Sequence, residues 1–290
     1  MKTIILLGLL CVLFCPISGN AQADATSRSW NQPVKPFRII GNLYYVGASD
    51  ICSYLIVTPN GHILLDSGFV ETVPQIQQNV AQLGFRLEDV KILINSHAHY
   101  DHAGGLAMLK RLTGAKLMTS EADAALLAAG GKGDPNFGDR FAFEPVTADR
   151  ILKDGDKVKL GGVTMVARLT PGHTKGNTTW TMTVNEGKKR YNVLFAGSTT
   201  APGYKLINNQ NYPNIVEDYR RTFQILKSLP CDVFLAPHGN FFELTSKSKL
   251  LEQGTTPNPF IDSKGYRQFI EDTEAAFEKA VQRQSTQKLD

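Results

Sequence analysis

Between Asn95 and Gly105 the chain reads NSHAHYDHAGG, which gathers three of its six histidines and an aspartate into one short segment. The segment follows VKILIN, an apolar, β-branched run with the length of a buried strand. Residues two apart in extended chain point to the same side, so His97 and His99 can converge on one point. Asp101 and His102 come where Gly104-Gly105 turns the chain into a helix, and they are aimed at a second point close by. Any fold for this chain must present that segment at a strand end and bring further ligands to it.

Two remote histidines have suitable surroundings. His173 in TPGHTKG and His238 in APHGN each follow a strand-like run beside Pro and Gly. Both are expected on strand-end loops that face a cleft. His62 follows the Asn60-Gly61 turn and is expected at the surface or packed on that turn. Three imidazoles plus a water make an open catalytic zinc site, a count met by His97, His99 and His173. Asp101, His102 and His238 then form a second site, with the two ions roughly 3.5–4 Å apart. The expectation is two Zn2+ per chain.

The rest of the sequence supplies a frame. CSYLIVT and HILLDSG flank Pro59-Asn60-Gly61, a hairpin signal. NLYYVG, KLMTS, VTMVARL, TTWTMTV, YNVLFAGS and CDVFLAP are further predicted strands. Helices are predicted over Val73–Leu83, GLAMLKRL, EADAALLAA, Val216–Ser228 and Ser263 to about Gln284. GGKGDPNFGDRFAFEP is a long loop, and such a loop in a compact domain is more often functional than accidental. Mostly antiparallel hairpins interleaved with helices predict an α/β fold of two facing sheets with helices outside.

Residues 1–23 (MKTIILLGLLCVLFCPISGNAQA) have one basic residue, a short apolar run and a small-x-small end, the pattern of a secretory signal peptide. The run is short of the ~20 residues of a spanning helix, a retained anchor being the alternative. Residues 24–290 are then one mature domain, expected in the periplasm as a monomer. A net charge of +4 with scattered Lys and Arg argues against nucleic-acid binding, and no membrane association is expected of the mature domain. Of four cysteines, Cys52 and Cys231 remain after the leader. They are either paired in an oxidising compartment or buried as small apolar thiols.

HAHYDHAGG, a later PGHT and a later PHG resemble the metallo-β-lactamase superfamily, whose fold is an αββα sandwich with a dinuclear metal site at one edge. The likeness runs over essentially the whole mature chain and implies that Asp66 in ILLDSG supports the metal loop. Many hydrolases of the superfamily carry a bridging aspartate where this chain has Ser198, and the first β-lactamase subclass carries a cysteine there. With neither present, His102 completes the second site, which is similar to the third subclass of class B β-lactamases. NQPVKPFRI, FGDRF and NPFIDSKGYRQF extend that likeness. It implies zinc-dependent hydrolysis of the β-lactam amide in a small-molecule substrate. Asp101 would orient the attacking water, Ser198 and Thr200 would meet the substrate carboxylate, and Tyr204 would assist the oxyanion. Trp30 and Phe137 would flank the cleft. A lactonase or thioesterase on the same fold is the enzymatic alternative, and a non-catalytic zinc-binding protein is the other.

Overall fold

The computed structural model describes residues 25–287, so the expected leader lies outside the described residues. The first sheet follows sequence order: β1 (Phe37–Ile40), β2 (Leu43–Tyr45), β3 (Tyr54–Thr58), β4 (Gly61–Leu65), β5 (Val90–Ile94), β6 (Lys116–Ser120) and β7 (Arg150–Leu152). The second comprises β8 (Lys157–Leu160), β9 (Val163–Leu169), β10 (Thr178–Glu186), β11 (Lys189–Phe195) and β12 (Val233–Leu235), in the order β12-β11-β10-β9-β8. Thr58 pairs with Gly61 across the predicted hairpin. Pairing is more mixed than expected, since β4 to β7 run parallel to one another, as do β11 and β12. Parallel neighbours need a crossover. Helices α2 (Val73–Gln82), α4 (Leu106–Thr113), α5 (Glu121–Ala128) and α6 (Ile215–Ser228) provide these crossovers.

Period-two alternation explains the layering. In β3, Tyr54 and Ile56 face the second sheet while Leu55 faces the other way. The same split divides Ile63 and Leu65 from Leu64 in β4, and Ile92 and Ile94 from Leu93 in β5. The first group meets Met165, Trp180 and Met182 between the sheets, whereas the second packs on Val73, Ile76 and Val80 of α2 and Leu106 and Leu109 of α4. A sheet covered on both faces reads as continuous apolar runs, as HILL and KILI do. On the far side α6 and α8 (Ser263–Thr286) cover the second sheet, Tyr219 stacking on Phe277 at 4.6 Å. Each such large side chain contributes about 1.5–3 kcal/mol by burial.

Strand direction then decides where the site falls. β4 and β5 are parallel, and β9 and β11 both oppose β10, so each pair ends on a common side. Trp180 Nε1 donates to Asn95 O (2.9 Å) and Thr178 N to Ser96 O (2.7 Å), which fastens the end of β5 to the start of β10 across the two sheets. The segments carrying Asp66, His97, His173, Ser198 and His238 therefore leave C-terminal strand ends at one edge of the sandwich. Ligand sites in sheets with helical crossovers favour that position.

Other elements were not predicted: β1, β7, β8, α1 (Ala25–Trp30), the single turn α3 (Tyr100–Ala103) and α7 (Leu244–Glu252). His62 is buried with its ring 5.3 Å from Phe85, in keeping with packing at the turn. Cys52 and Cys231 are both free thiols, Cys52 fully buried, so the unpaired alternative holds. Among the described residues no helix is long and apolar enough to cross a membrane.

Candidate metal centre

All six expected ligands come together. The rings of His97, His99 and His173 form a triangle, with centroids 4.8, 4.6 and 4.7 Å apart. His99 Nδ1 lies 3.1 Å from His173 Nε2. Beside them, Asp101 Oδ2 and the Nε2 atoms of His102 and His238 lie 3.3, 3.6 and 3.3 Å apart. Four-coordinate zinc with ligands at 2.0–2.1 Å separates neighbouring ligand atoms by about 3.3 Å. Both triads therefore have the span zinc needs. His97, Asp101 and His102 also offer ligand atoms within 4.8 Å of one another, so His97 stands at the junction of the two groups.

The outer nitrogens show which way the inner ones face. His173 Nδ1 lies 2.7 Å from Thr200 O, and a carbonyl only accepts, so Nδ1 carries the proton and Nε2 keeps its lone pair. His238 Nδ1 donates to Asp50 Oδ2 (2.8 Å) and His99 Nε2 to Asp134 Oδ2 (3.2 Å). Ser96 Oγ donates to Asp66 Oδ2 (2.7 Å) and accepts from His97 Nδ1 (3.1 Å). Metal-bound imidazoles commonly give their second N–H to such an acceptor. His97 Nε2, facing inward, is buried with no hydrogen-bond partner among the described residues. A buried polar atom left alone in a polar cluster is what a bound cation satisfies.

Charge agrees with this. Burial, with the neighbouring imidazoles, holds His97 and His173 well below the usual histidine range, so both are neutral and free of competing protons. Burial pushes Asp101 upward, but the imidazoles around it, His102 foremost, outweigh burial and hold it well below the usual carboxylate range. Burial raises Asp66 to about 7 against the two hydrogen bonds from Ser96. Asp66 also has φ of +61°, a left-handed conformation rare outside glycine, and strain of this kind gathers at functional sites.

The TPGHTKG loop is held with similar care. Gly172 has φ +141°, and a Cβ there would meet the Tyr219 ring at 2.8 Å. At Gly176 a Cβ would lie 2.2 Å from Asp123 Oδ1. Asp123 is buried and accepts from Asn95 Nδ2 (2.9 Å) and Thr174 Oγ1 (3.1 Å), so it joins the two histidine-bearing loops.

The other expected residues line the same edge. Ser198 and Thr200 hydroxyls lie 3.3 Å apart on the loop after β11, whose Thr200 carbonyl anchors His173. Trp30 meets His238 edge-on at 5.2 Å, and Phe137 lies 5.2 Å from His99. Tyr204 is buried, with its hydroxyl 3.4 Å from His173 Nδ1, the nitrogen facing away from the triad. Asp50, Asp123 and Asp134 were missed from sequence. Only Asp134 had a signal, its place in the Gly/Pro/Asp-rich loop.

A sandwich of two sheets with paired metal triads at the C-terminal strand ends defines a class of metal-dependent hydrolase scaffolds. The chain belongs to the metallo-beta-lactamase superfamily, whose family model matches residues 47–238. Among solved structures it is similar to the FEZ-1 metallo-beta-lactamase from Legionella gormanii, at 44% identity and TM-score 0.87, covering 88% of this chain and 98% of that one. It is also similar to BJP-1, a subclass B3 metallo-beta-lactamase of Bradyrhizobium japonicum (39%, TM-score 0.84, 89% and 97% covered). The class B3 di-zinc enzyme LRA-12 from an Alaskan soil metagenome is a third (40%, TM-score 0.82, 86% and 95% covered). Curated relatives match over less of their length: the chain spans 36% of a probable metallo-hydrolase of Burkholderia pseudomallei, at 34% identity over 109 residues.

Proposed function

We propose that the chain hydrolyses the β-lactam amide of penicillins, cephalosporins and carbapenems, and so confers antibiotic resistance. Two zinc ions would serve it, one held by His97, His99 and His173 and the other by Asp101, His102 and His238. The observation that carries this reading is the orientation of the imidazoles. Four of them give their outer nitrogen to an acceptor, which turns the inner lone pairs toward the two triads. The likeness to class B3 enzymes, one described as di-zinc, supports it.

Zinc held by these residues would supply Lewis acidity and make a water easier to deprotonate near neutral pH. The chain's own residues do the rest. Asp101, the one carboxylate among the six ligands, accepts a hydrogen bond from the incoming water and orients it. Ser198 and Thr200 offer two neighbouring hydroxyls to the carboxylate that these substrates carry next to the lactam nitrogen. Trp30 and Phe137 wall the cleft and limit entry of bulk water. Tyr204, whose hydroxyl lies 3.4 Å from His173 Nδ1, is the residue proposed to assist the developing oxyanion. Secretion to the periplasm belongs to the same proposal and rests on the leader read at residues 1–23; a monomer is proposed with it.

Turnover of a chromogenic cephalosporin, a homoserine lactone and a glutathione thioester by zinc-loaded protein, with and without a chelator, tests the reading. Chelator-sensitive hydrolysis of the cephalosporin alone is the expected result. Preference for the lactone or thioester would overturn it.

A further inference from the structure

The segment between α5 and β7 contains no long helix or strand, yet the buried side chain of Asp134 hydrogen-bonds it to the site. Asp134 is 5% exposed. Its Oδ2 accepts from His99 Nε2 at 3.2 Å, and its Oδ1 accepts from the backbone N–H groups of Asn136 and Phe137, each at 2.8 Å. The turn so formed is closed by paired backbone bonds between Asp134 and Gly138 (3.2 and 2.9 Å). It sets the Phe137 ring between His99 (5.2 Å) and Tyr204 (5.6 Å). Phe141, next along the segment, stacks on Tyr100 at 4.4 Å, beside the same ligand loop.

We propose that Asp134 is a positioning residue with two simultaneous tasks: it fixes the His99 tautomer and it orders the turn that forms the Phe137 wall of the cleft. The first task rests on the metal reading above. A carboxylate that can only accept keeps the proton on His99 Nε2, and this leaves Nδ1 as a lone-pair donor facing His173. The second follows from hydrogen bonding alone and needs no metal. Because one carboxylate performs both, the ligand set and the cleft wall are ordered together, and a disturbance at either reaches the other through a single side chain.

Two substitutions separate the tasks. Asn at 134 keeps an oxygen for the Asn136 and Phe137 amides but presents an NH2 group to His99. Ala removes both. The readouts are zinc affinity, by competition with a chromophoric chelator, and amide exchange of peptides covering residues 133–141 in zinc-free and zinc-loaded protein, with peptides of β3 and β4 as the check on folding. For Asp134→Asn the expected result is zinc affinity lower by about 10- to 100-fold, the loss usual when an acceptor behind a metal-bound His is removed, with protection of 133–141 retained in zinc-free protein. For Asp134→Ala both are lost while β3 and β4 stay protected. Asn binding zinc as tightly as wild type would overturn the tautomer task, and unchanged exchange in Ala would overturn the turn task. A wild type that binds no zinc would instead overturn the metal reading, and the tautomer task with it.

Discussion

Asp123 gives a sharp test of how the two histidine loops are joined. Its carboxyl is buried between Asn95 and Thr174, and burial raises it from 3.8 to about 7. Because the folded value is the higher one, the native state keeps this proton while the unfolded chain has lost it. The contribution to stability is therefore fully present below about pH 4, falls as pH rises toward 7, and is gone above that. At ~1.36 kcal/mol per unit, the shift corresponds to about 4 kcal/mol over the whole window and about 2 kcal/mol between pH 5 and pH 7, where the native carboxyl is half ionised. Asp123→Asn removes the ionisable group and keeps the shape. The new amide can be accommodated, because Asn95 Oδ1 is buried without a partner and can turn to accept from it. The Thr174 hydroxyl can still donate to its oxygen. Urea unfolding of zinc-free wild type and variant at pH 5, 6, 7 and 8 measures the difference. The variant should gain on the wild type by about 2 kcal/mol from pH 5 to pH 7, with little further gain by pH 8. A difference independent of pH would refute the reasoning, since Asp123 would then be ionised throughout, with the loops fastened by a carboxylate accepting from two neutral donors.

Further expectations concern catalysis. Ser198→Ala removes one hydrogen bond to a charged group, so KM should rise roughly 10-fold with kcat little changed. Asp101→Ala should lower kcat by at least about 100-fold. If the serine variant were the inactive one, or mass spectrometry trapped an acyl adduct on Ser198, the assignment would be wrong. Monobactams carry a sulfonate directly on the lactam nitrogen and should be turned over poorly beside a carbapenem, with neither rate altered by clavulanate. Equal turnover of carbapenem and monobactam would contradict the place given to Ser198 and Thr200.

Local signals carried much of the frame into the sequence. The Pro59-Asn60-Gly61 turn sets the β3–β4 register, and HILL and KILI mark a sheet buried on both faces. The ligands were legible because HAHYDH is compact and because His173 and His238 stand beside Pro and Gly after apolar runs. The carboxylates behind the ligands were not. Asp50 meets His238 across 188 positions and Asp134 meets His99 across 35, and neither separation leaves a periodic trace. β1 and β7 are too short to show a period of two, and the parallel β4–β7 pairing depends on crossovers that strand composition does not record. Tyr204 is placed near the chemistry by the resemblance, but its approach to His173 Nδ1 depends on the ring orientation that the Thr200 carbonyl fixes.

The division of the ligands is the claim on which the rest depends. X-ray data from zinc-soaked crystals, collected on both sides of the zinc absorption edge, would locate the ions directly. Two anomalous peaks are expected, roughly 3.5–4 Å apart, one bounded by His97, His99 and His173 and the other by Asp101, His102 and His238. A single peak, or one enclosed by His97, Asp101 and His102, would contradict the two-triad account.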